Sequence, residues 1–474
     1  MLIKLSIFSF VLGLAGAACT KSNPISCVDE YCQDPSLPFC DVDGALEGTP
    51  QTCIAVDCTS GDVAGCRGDS AIVCNADGNN YDISHCDHGC DPVEGCKAVS
   101  CVPNTTKCGD HTVETCSATG ELTTQACAAG CVDGATPHCA YISPKYLPEV
   151  CDTPAVEAGG PIATSSTYDT GVDGTCNGGV VPQPNGPDIC VLRFKQFAIN
   201  QGVTLRVTGA RVLAIVTDDA LRVSGTLDVS SDVAGVVGAG RNDNYGGSGT
   251  EDIRGGAGFA TNGGDGGASP STGGLAYNPL DLTFLVGGRN GGVRSTSCGG
   301  GGGAGGGGAT LISCRQTVAV DGTIDASGGG GRGGRTVQSS NCPGGGGGAG
   351  GYVVLQGVDV RVSGRVFANG GGGGCGKPAS ANGLNGTNGA ASTAAPVGCT
   401  PSTDEGLGGA GGAEGFAPGS GGPGAGTGST ARTPGGGGAS KGFFQTYTPA
   451  GVVPTLTPSA RSPAFQPNLP VPTK

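Results

Sequence analysis

The most regular pattern of apolar and polar positions lies in the C-terminal part of the chain. Residues 221–230 read LRVSGTLDVS, residues 318–327 read VAVDGTIDAS, and residues 360–369 read VRVSGRVFAN. In each copy apolar and polar residues alternate, a glycine interrupts the alternation, and the alternation then resumes. This pattern predicts two short strands joined at a bend, each with one buried face.

Each copy of this motif follows another short apolar segment. These segments are residues 212–216, 311–314 and 353–355, and residues 203–207 offer one more. After residue 18 we find no stretch with sustained apolar residues at helical spacing. Several short strands per unit, repeating without a helix, predict a solenoid whose coils stack. The expected fold class is therefore all-β: small disulfide-rich repeat modules followed by a glycine-rich, parallel β-helix-like solenoid with polyglycine excursions.

Nearly pure glycine separates the copies, as in residues 299–308 and 344–351. Two interpretations are open. The runs are disordered excursions, because glycine loses the most conformational entropy on ordering. Alternatively, they are extended polyglycine II-like strands that pack side by side. The order of glycine run, small residue and strand recurs, which favours the ordered interpretation.

The first 18 residues, MLIKLSIFSFVLGLAGAA, have one Lys, an apolar run and a small-residue end. This pattern predicts a secretory signal peptide. Residues 15–17 suit general signal peptidase, and free secretion would follow. Residues 16–19 resemble the lipobox of bacterial lipoproteins, which implies lipidation of Cys19. Without Cys19 the 25 cysteines become 24, an even number suited to complete pairing. Residue 20 is Thr, not the Asp that retains lipoproteins at the inner membrane in enteric bacteria. This favours the outer membrane or cell surface as the destination.

Cysteines are dense and periodic between residues 19 and 150. Four, at 27, 32, 40 and 53, form a short unit, and two six-cysteine modules follow at 58–96 and 101–139. Modules of this size bury little core, and each disulfide adds roughly 2–4 kcal/mol. Six cysteines allow 15 pairings, so the connectivity stays open. The disulfide candidates are Cys58, Cys66, Cys74, Cys86, Cys90, Cys96, Cys101, Cys108, Cys116, Cys127, Cys131, Cys139, Cys176 and Cys190.

The cysteines outside the repeats are interpreted as clamps. Cys176 and Cys190 pair with each other, or one of them pairs with Cys151. Structural zinc is the rival interpretation of the repeats, but the histidines beside Cys86 do not recur in the next module. A ligand set should recur with its repeat, so we expect no bound metal.

Composition excludes some partners. The formal charge is −14 and the pI about 4.6, so the chain repels nucleic acid and anionic lipid. A nucleic-acid partner is not expected, and membrane contact is expected only through the lipid. Trp is absent and aromatics are 4% of residues, so Val, Leu, Ile and Ala must fill the core.

Three resemblances follow from these motifs. The lipobox-like leader, the C-x3-C modules and the glycine–strand repeats resemble the Cys-rich, Gly-rich surface lipoproteins common in myxobacterial genomes, a family that implies no known activity. The strand pattern is similar to the right-handed parallel β-helix of pectin lyases. The segment GGGGAGGGGATL resembles the glycine-rich extracellular domain of certain receptor tyrosine kinases, which implies packed glycine helices.

The search for catalytic residues yields little. Residues 371–377 mimic a phosphate-binding loop, but Pro378 stands where Ser or Thr would hold magnesium. Residues 242–244 with 251–252 could hold a cation or form a solvated acidic loop. Asp218 and Asp219 are adjacent, whereas Asp228 and Asp325 recur in the motif and are expected at turns between strands. Residues 151–474 contain no His. We therefore expect no catalytic residue and no cofactor.

The predicted organisation is a signal peptide (1–18), disulfide-rich modules (19–150; 27–53, 58–96 and 101–139), a linker and cap (151–190) and the solenoid (191–474). The predicted function is that of an exported, lipid-anchored structural or adhesive cell-surface protein without catalytic activity. The alternative is a carbohydrate-binding or carbohydrate-active β-helix protein. Surface glycans and other envelope proteins are the candidate partners.

Overall fold

The computed structural model describes residues 25–27, 29–97, 101–241, 255–267, 271–277, 282–292, 301–337, 340–378, 381–401, 405–424 and 433–474. In these ranges the chain is nearly all β, and its one helical element is a 3-10 turn, Asp173–Thr175. No helix in this part of the chain is long and apolar enough to cross a membrane. The predicted all-β fold class is confirmed.

The chain forms two compact units, residues 1–107 with 113–125 and residues 108–112 with 126–474. The strands between residues 39 and 139 are short. They are β1 (Phe39–Asp41), β2 (Thr52–Ile54), β3 (Val63–Arg67), β4 (Ser70–Cys74), β5 (Tyr81–His85), β6 (Cys90–Asp91), β7 (Gly95–Cys96), β8 (Thr106–Gly109), β9 (Thr112–Cys116), β10 (Leu122–Ala126), β11 (Cys131–Val132) and β12 (His138–Cys139).

The two six-cysteine modules share one design. A three-stranded sheet, β3-β4-β5, precedes the hairpin β6-β7 in the first module, and β8, β9 and β10 with hairpin β11-β12 repeat it. In each module the first cysteine pairs with the third, the second with the fifth and the fourth with the sixth. The bonds are Cys58–Cys74, Cys66–Cys90, Cys86–Cys96, Cys101–Cys116, Cys108–Cys131 and Cys127–Cys139.

The hydrophobic clusters of the first unit are small. Phe39, Ile54 and Ile72 form one of them, and the rings of Phe39 and Tyr81 meet edge to face with centroids 5.2 Å apart. The four-cysteine unit has a core made largely of its own disulfides, Cys27–Cys40 and Cys32–Cys53. Covalent links therefore supply much of the constraint that a larger apolar core would give.

The second unit contains the remaining strands. They are β13 (Gly159–Ile162), β14 (Ser166–Asp169), β15 (Val180–Val181), β16 (Ile189–Phe194), β17 (Gln196–Ile199), β18 (Thr204–Thr208), β19 (Val212–Thr217), β20 (Leu221–Val223), β21 (Thr226–Asp228), β22 (Ala309–Val320), β23 (Thr323–Asp325), β24 (Thr336–Val337), β25 (Ser340–Asn341), β26 (Tyr352–Val362), β27 (Arg365–Phe367), β28 (Phe443–Thr448), β29 (Thr455–Leu456), β30 (Ala460–Ser462) and β31 (Leu469–Pro470).

Most of these strands stack in three parallel rows, whereas β15 pairs antiparallel with β16 and β24 pairs antiparallel with β25. Row A contains β16, β19, the first halves of β22 and β26, and β28. Row B contains β13, β17, β20, the second halves of β22 and β26, and β29. Row C contains β14, β18, β21, β23, β27 and β30. Each complete coil passes through rows A, B and C in turn, which is the architecture of a β-solenoid.

The three motif copies lie in register. Leu227, Ile324 and Val366 are successive partners in row C, and all three are fully buried inside the solenoid. The structure adds two features. In the second and third copies the preceding apolar segment runs into the motif without a break, as β22 and β26. A further coil, β28 to β30, was not predicted, because residues 449–463 are interrupted by prolines and lack the motif.

Row A is buried on both faces, unlike rows B and C. In β19 all six residues are buried, whereas β20 alternates between buried and exposed positions. Leu213 and Ile215 face the interior of the solenoid. Val212 and Val216 belong to a second cluster, on the outer side, that includes residues from 142–151 and from the glycine-rich excursions. A doubly buried parallel strand needs no polar face, which explains its continuous apolar sequence.

Residues 141–190, which span the predicted boundary at 150, lie within the second unit. The N–H of Ile142 donates to the carbonyl of Cys314 at 2.9 Å, and Cys151 forms a disulfide with Cys314. Cys176 pairs with Cys190. The predicted linker and cap contribute β13 and β14, an incomplete first coil that pairs in parallel with β17 and β18.

Candidate functional site

All three long excursions leave the solenoid at the same corner. They run from row C back to row A and span residues 229–308, 326–351 and 368–442. Because the strands of each row are stacked, the excursions begin and end one above another. Their described glycine-rich residues are called the glycine bundle below.

Main-chain hydrogen bonds join the excursions to one another. The N–H of Gly303 in the first donates to the carbonyl of Gly346 in the second at 2.8 Å. Gly371 in the third donates to Gly348 in the second, also at 2.8 Å. The first and third are joined by Gly264 N–H to Gly438 O at 2.8 Å. Lateral pairing of extended glycine segments is the polyglycine II-like interpretation, and the structure supports it over disorder for these described residues.

At many glycines of the bundle the packing leaves no room for a side chain. A methyl group on Gly348 would lie closer than 3.0 Å to the carbonyl oxygen of Ala304, and one on Gly371 would meet that of Gly329. Neither glycine has a positive φ, so close approach of backbones requires glycine there. Gly301 is an exception, because its nearest neighbour would be 3.7 Å away, an ordinary contact distance.

A period of three residues marks one segment of the bundle. Gly383, Gly386 and Gly389 donate to the carbonyls of Gly334, Gly331 and Gly328 at 2.7–2.8 Å. Three residues per turn is the repeat of the polyglycine II helix. The sequence NGLNGTNGA at 382–390 carries this signal, a glycine at every third position that is not among the features predicted above.

Amide side chains and a disulfide hold the same region. Oδ1 of Asn385 accepts from Gly333 N–H, and Oδ1 of Asn388 accepts from Gly330 N–H, both at 2.9 Å. Cys375 pairs with Cys399, and Cys342 is also disulfide-bonded.

Several predicted sites lie outside the described residues. They are the leader, the lipidation candidate Cys19, and the acidic segments 242–244 and 251–252. Eleven disulfides join described cysteines to each other, which indicates a protein that is exported to an oxidising compartment.

The adjacent carboxylates at 218 and 219 have structural partners. Asp218 is 6% exposed, forms an ion pair with Arg193 and lies 3.7 Å from Arg315. Its Oδ2 accepts from the N–H of Ala155 at 2.8 Å. These contacts tie residue 155, in the predicted linker, to row A.

The expectation that Asp228 and Asp325 lie at turns is wrong. Each is the last residue of a row C strand, and the two are direct register partners, because the parallel stacking of the motif copies superimposes them. Arg206 bonds Asp228 at 2.5 Å. Burial raises the pKa of Asp325 to about 6; the nearby Asp228 carboxylate also raises it, while hydrogen bonds from Ser327 oppose the rise.

The phosphate-loop mimic is part of the bundle. Lys377 is buried, its N–H donates to Thr433 Oγ1 at 2.5 Å, and its Nζ donates to the carbonyl of Pro378 at 2.8 Å. Among the described residues, the one group of three possible metal ligands is Cys27, Cys32 and Cys53, whose sulfurs lie within 4.8 Å. All three are in disulfides, so they offer no thiolate to a metal.

Clefts in the second unit are lined by described residues of the bundle and of the segment 149–157. One, of about 180 Å³, is at the bundle and is lined by Arg332, Arg335 and Asn385 among others. Another, of about 350 Å³, is lined by residues of 149–157 with Asn177 and Arg193. Neither cleft is lined by Asp228 or Asp325.

No protein-family model matches the chain, and neither a curated protein nor a solved structure is similar to it.

Proposed function

We propose that the protein is a structural or adhesive protein of the cell surface, held by lipid on Cys19 and without catalytic activity. The observation that carries the proposal is the glycine bundle. Three excursions bond to one another through main-chain groups and leave no space for side chains across much of the interface. Such an assembly is rigid and repetitive, which suits a scaffold that presents a surface.

The arrangement of titratable groups also supports the proposal. The carboxylate of Asp218 is held by arginines, and that of Asp228 by Arg206. Lys377 is turned to a main-chain carbonyl in the bundle. These groups bind the fold together rather than face a ligand.

Anchoring is tested by metabolic labelling with a palmitate analogue. We expect the full-length protein to carry the label and to fractionate with membranes, whereas Cys19→Ala loses the label and enters the medium. Thr20→Ser is the matched control and should keep both properties. Label that persists on the Cys19→Ala protein would reject lipidation of Cys19.

Adhesion is tested by displaying the full chain on a heterologous bacterium in a flow cell coated with envelope glycans. We expect cells with the wild-type protein to attach at least several-fold more than cells without it. Gly160→Ala in β13 adds a methyl group with no atom within 4 Å and should attach like the wild type, whereas Gly348→Ala, which disrupts the bundle, should not. Equal attachment of cells with and without the protein contradicts an adhesive role.

A second candidate function, an enzyme acting on carbohydrate, is favoured by one observation. Asp228 and Asp325 are neighbouring carboxylates, one paired with Arg206 and the other with its pKa raised to about 6. Different environments for two carboxylates are a feature of glycosidases. Release of reducing ends from envelope polysaccharide by the wild type, lost in Asp325→Asn, would support this candidate over the first.

A further inference from the structure

The cleft of about 180 Å³ at the glycine bundle has a lining unlike the rest of the protein. Its walls include Gly301, Gly333 and other glycines, and its charged residues are Arg332 and Arg335. None of the described residues that line it is acidic. In a chain of formal charge −14, this is a local site of positive charge.

Hydrogen bonds to the main chain hold two polar side chains of the cleft, those of Arg332 and Asn385. The guanidinium of Arg332 has five N–H groups, and Nε donates to the carbonyl of Val233 at 3.3 Å, which fixes its plane. Oδ1 of Asn385 is engaged by Gly333 N–H, so Nδ2 is the donor end of that amide. A lining of this kind suits a ligand with acceptor oxygens and negative charge.

The walls are preorganised. The N–H of Arg332 donates to Gly301 O at 2.7 Å, and the N–H of Gly345 donates to Arg332 O at 2.9 Å. These bonds tie the backbone of the arginine to neighbouring segments of the bundle. At Gly301 an added methyl group would find its nearest atom 3.7 Å away, so a ligand can approach the main chain closely there.

We propose that this cleft binds a hexuronic acid residue of an acidic polysaccharide. A guanidinium matches the planar carboxylate through paired hydrogen bonds, and Nδ2 of Asn385 can donate to a hydroxyl oxygen. The volume is below the roughly 300–1,000 Å³ typical of pockets for larger ligands, which favours a single sugar ring. This inference rests on the proposed adhesive function and names its ligand class.

The test is calorimetric titration of the purified mature chain with tri-galacturonic acid. We expect binding of this ligand and none of its methyl ester or of neutral galactotriose. Arg332→Gln and Arg335→Gln should each weaken binding at least tenfold. Arg361→Gln is the matched control, because Arg361 is exposed in row B and bonded to Asp359, and it should change binding less than twofold.

Four outcomes overturn the proposal, and three of them concern the uronate and its methyl ester. They are no binding of the uronate to folded wild-type protein, equal binding of the methyl ester, and unchanged binding in both cleft variants. Inorganic sulfate that competes as well as the uronate would also overturn it, by making the cleft a small-anion site. The methyl ester comparison uses wild-type protein, so it stands even if a variant misfolds. Wild-type protein that attaches to the glycan-coated surface but does not bind the uronate would reject this ligand and leave the adhesive function standing.

Discussion

The solenoid and the glycine bundle are both closely packed, but side chains fill the solenoid and main chains fill the bundle. In the solenoid, aliphatic side chains such as Leu311 and Ile324 fill the space between strands and are fully buried. In the bundle, backbones such as those of Gly348 and Gly371 approach so closely that a methyl group would collide with a carbonyl oxygen. One region is stabilised by apolar burial, the other by hydrogen bonding and dispersion between main chains.

The difference predicts opposite sensitivities. A core of side chains loses stability when atoms are removed, because a cavity remains. A core of backbones has no side-chain atoms to lose and is harmed only when atoms are added. Both regions are continuous with the same coils, so the two responses can be compared within one molecule.

The largest expected effect is in the solenoid. Leu311 lies between Ile215 and Leu355 in row A and faces the interior. Leu311→Ala should lower the free energy of unfolding by about 2–5 kcal/mol, measured by urea unfolding of the disulfide-intact protein. Leu311→Met keeps the volume and should cost less than about 1.5 kcal/mol. Equal losses of unfolding free energy in the two variants would show that the side-chain volume at position 311 does not determine the stability of this row.

The next effect is in the bundle. Gly348→Ala adds one methyl group against the carbonyl of Ala304 and should cost about 1–3 kcal/mol. Gly301→Ala is the control in the same bundle, with its nearest atom 3.7 Å away, and should change stability by less than about 0.5 kcal/mol. Hydrogen–deuterium exchange should show faster exchange of bundle amides in the first variant alone. Similar exchange in both variants would mean that the glycines are not needed for close approach.

The smallest expected effect is a pH-dependent change in stability at Asp325 in the solenoid. The pKa of Asp325 is raised from 3.8 to about 6, so the native state holds this proton more tightly than the unfolded state. Its contribution to stability is complete below about pH 4 and is lost as the pH rises through about 6. Asp325→Asn keeps an acceptor for the Ser327 N–H and should stabilise the protein by about 1–2 kcal/mol at pH 7 and not at pH 4.

A matched change tests whether that effect is specific. Asp321 is a more exposed carboxylate of the same coil, bonded to Arg222 at 2.7 Å. Asp321→Asn should alter stability by less than about 1 kcal/mol at either pH. A gain at pH 7 equal to that of Asp325→Asn would assign the effect to net charge rather than to burial.

The solenoid could be predicted from the repeated motif because the periodicity of the motif is local. Alternation around a glycine at 225, 322 and 364 is visible in the sequence and became two strands and a bend each time. The coil from β28 to β30 lacked that signal, since its position depends on pairing with β26 and β27 rather than on its own pattern. The period-three glycines at 383, 386 and 389 were visible, but they acquire meaning only beside the segment that accepts their hydrogen bonds.

The sequence by itself determined the all-β class, the disulfide-rich repeats and the strand–bend–strand coils, because each depends on neighbours within about ten residues. Only the tertiary structure decided the cysteine connectivity, the pairing of Asp228 with Asp325 and the ordering of the glycine runs. The physical reason is that these features join residues 10 or more positions apart, which no local pattern pairs. Stacking of the coils places the start and end of each excursion over the start and end of the next. That proximity lets the N–H and C=O groups of the glycine backbones form hydrogen bonds with one another.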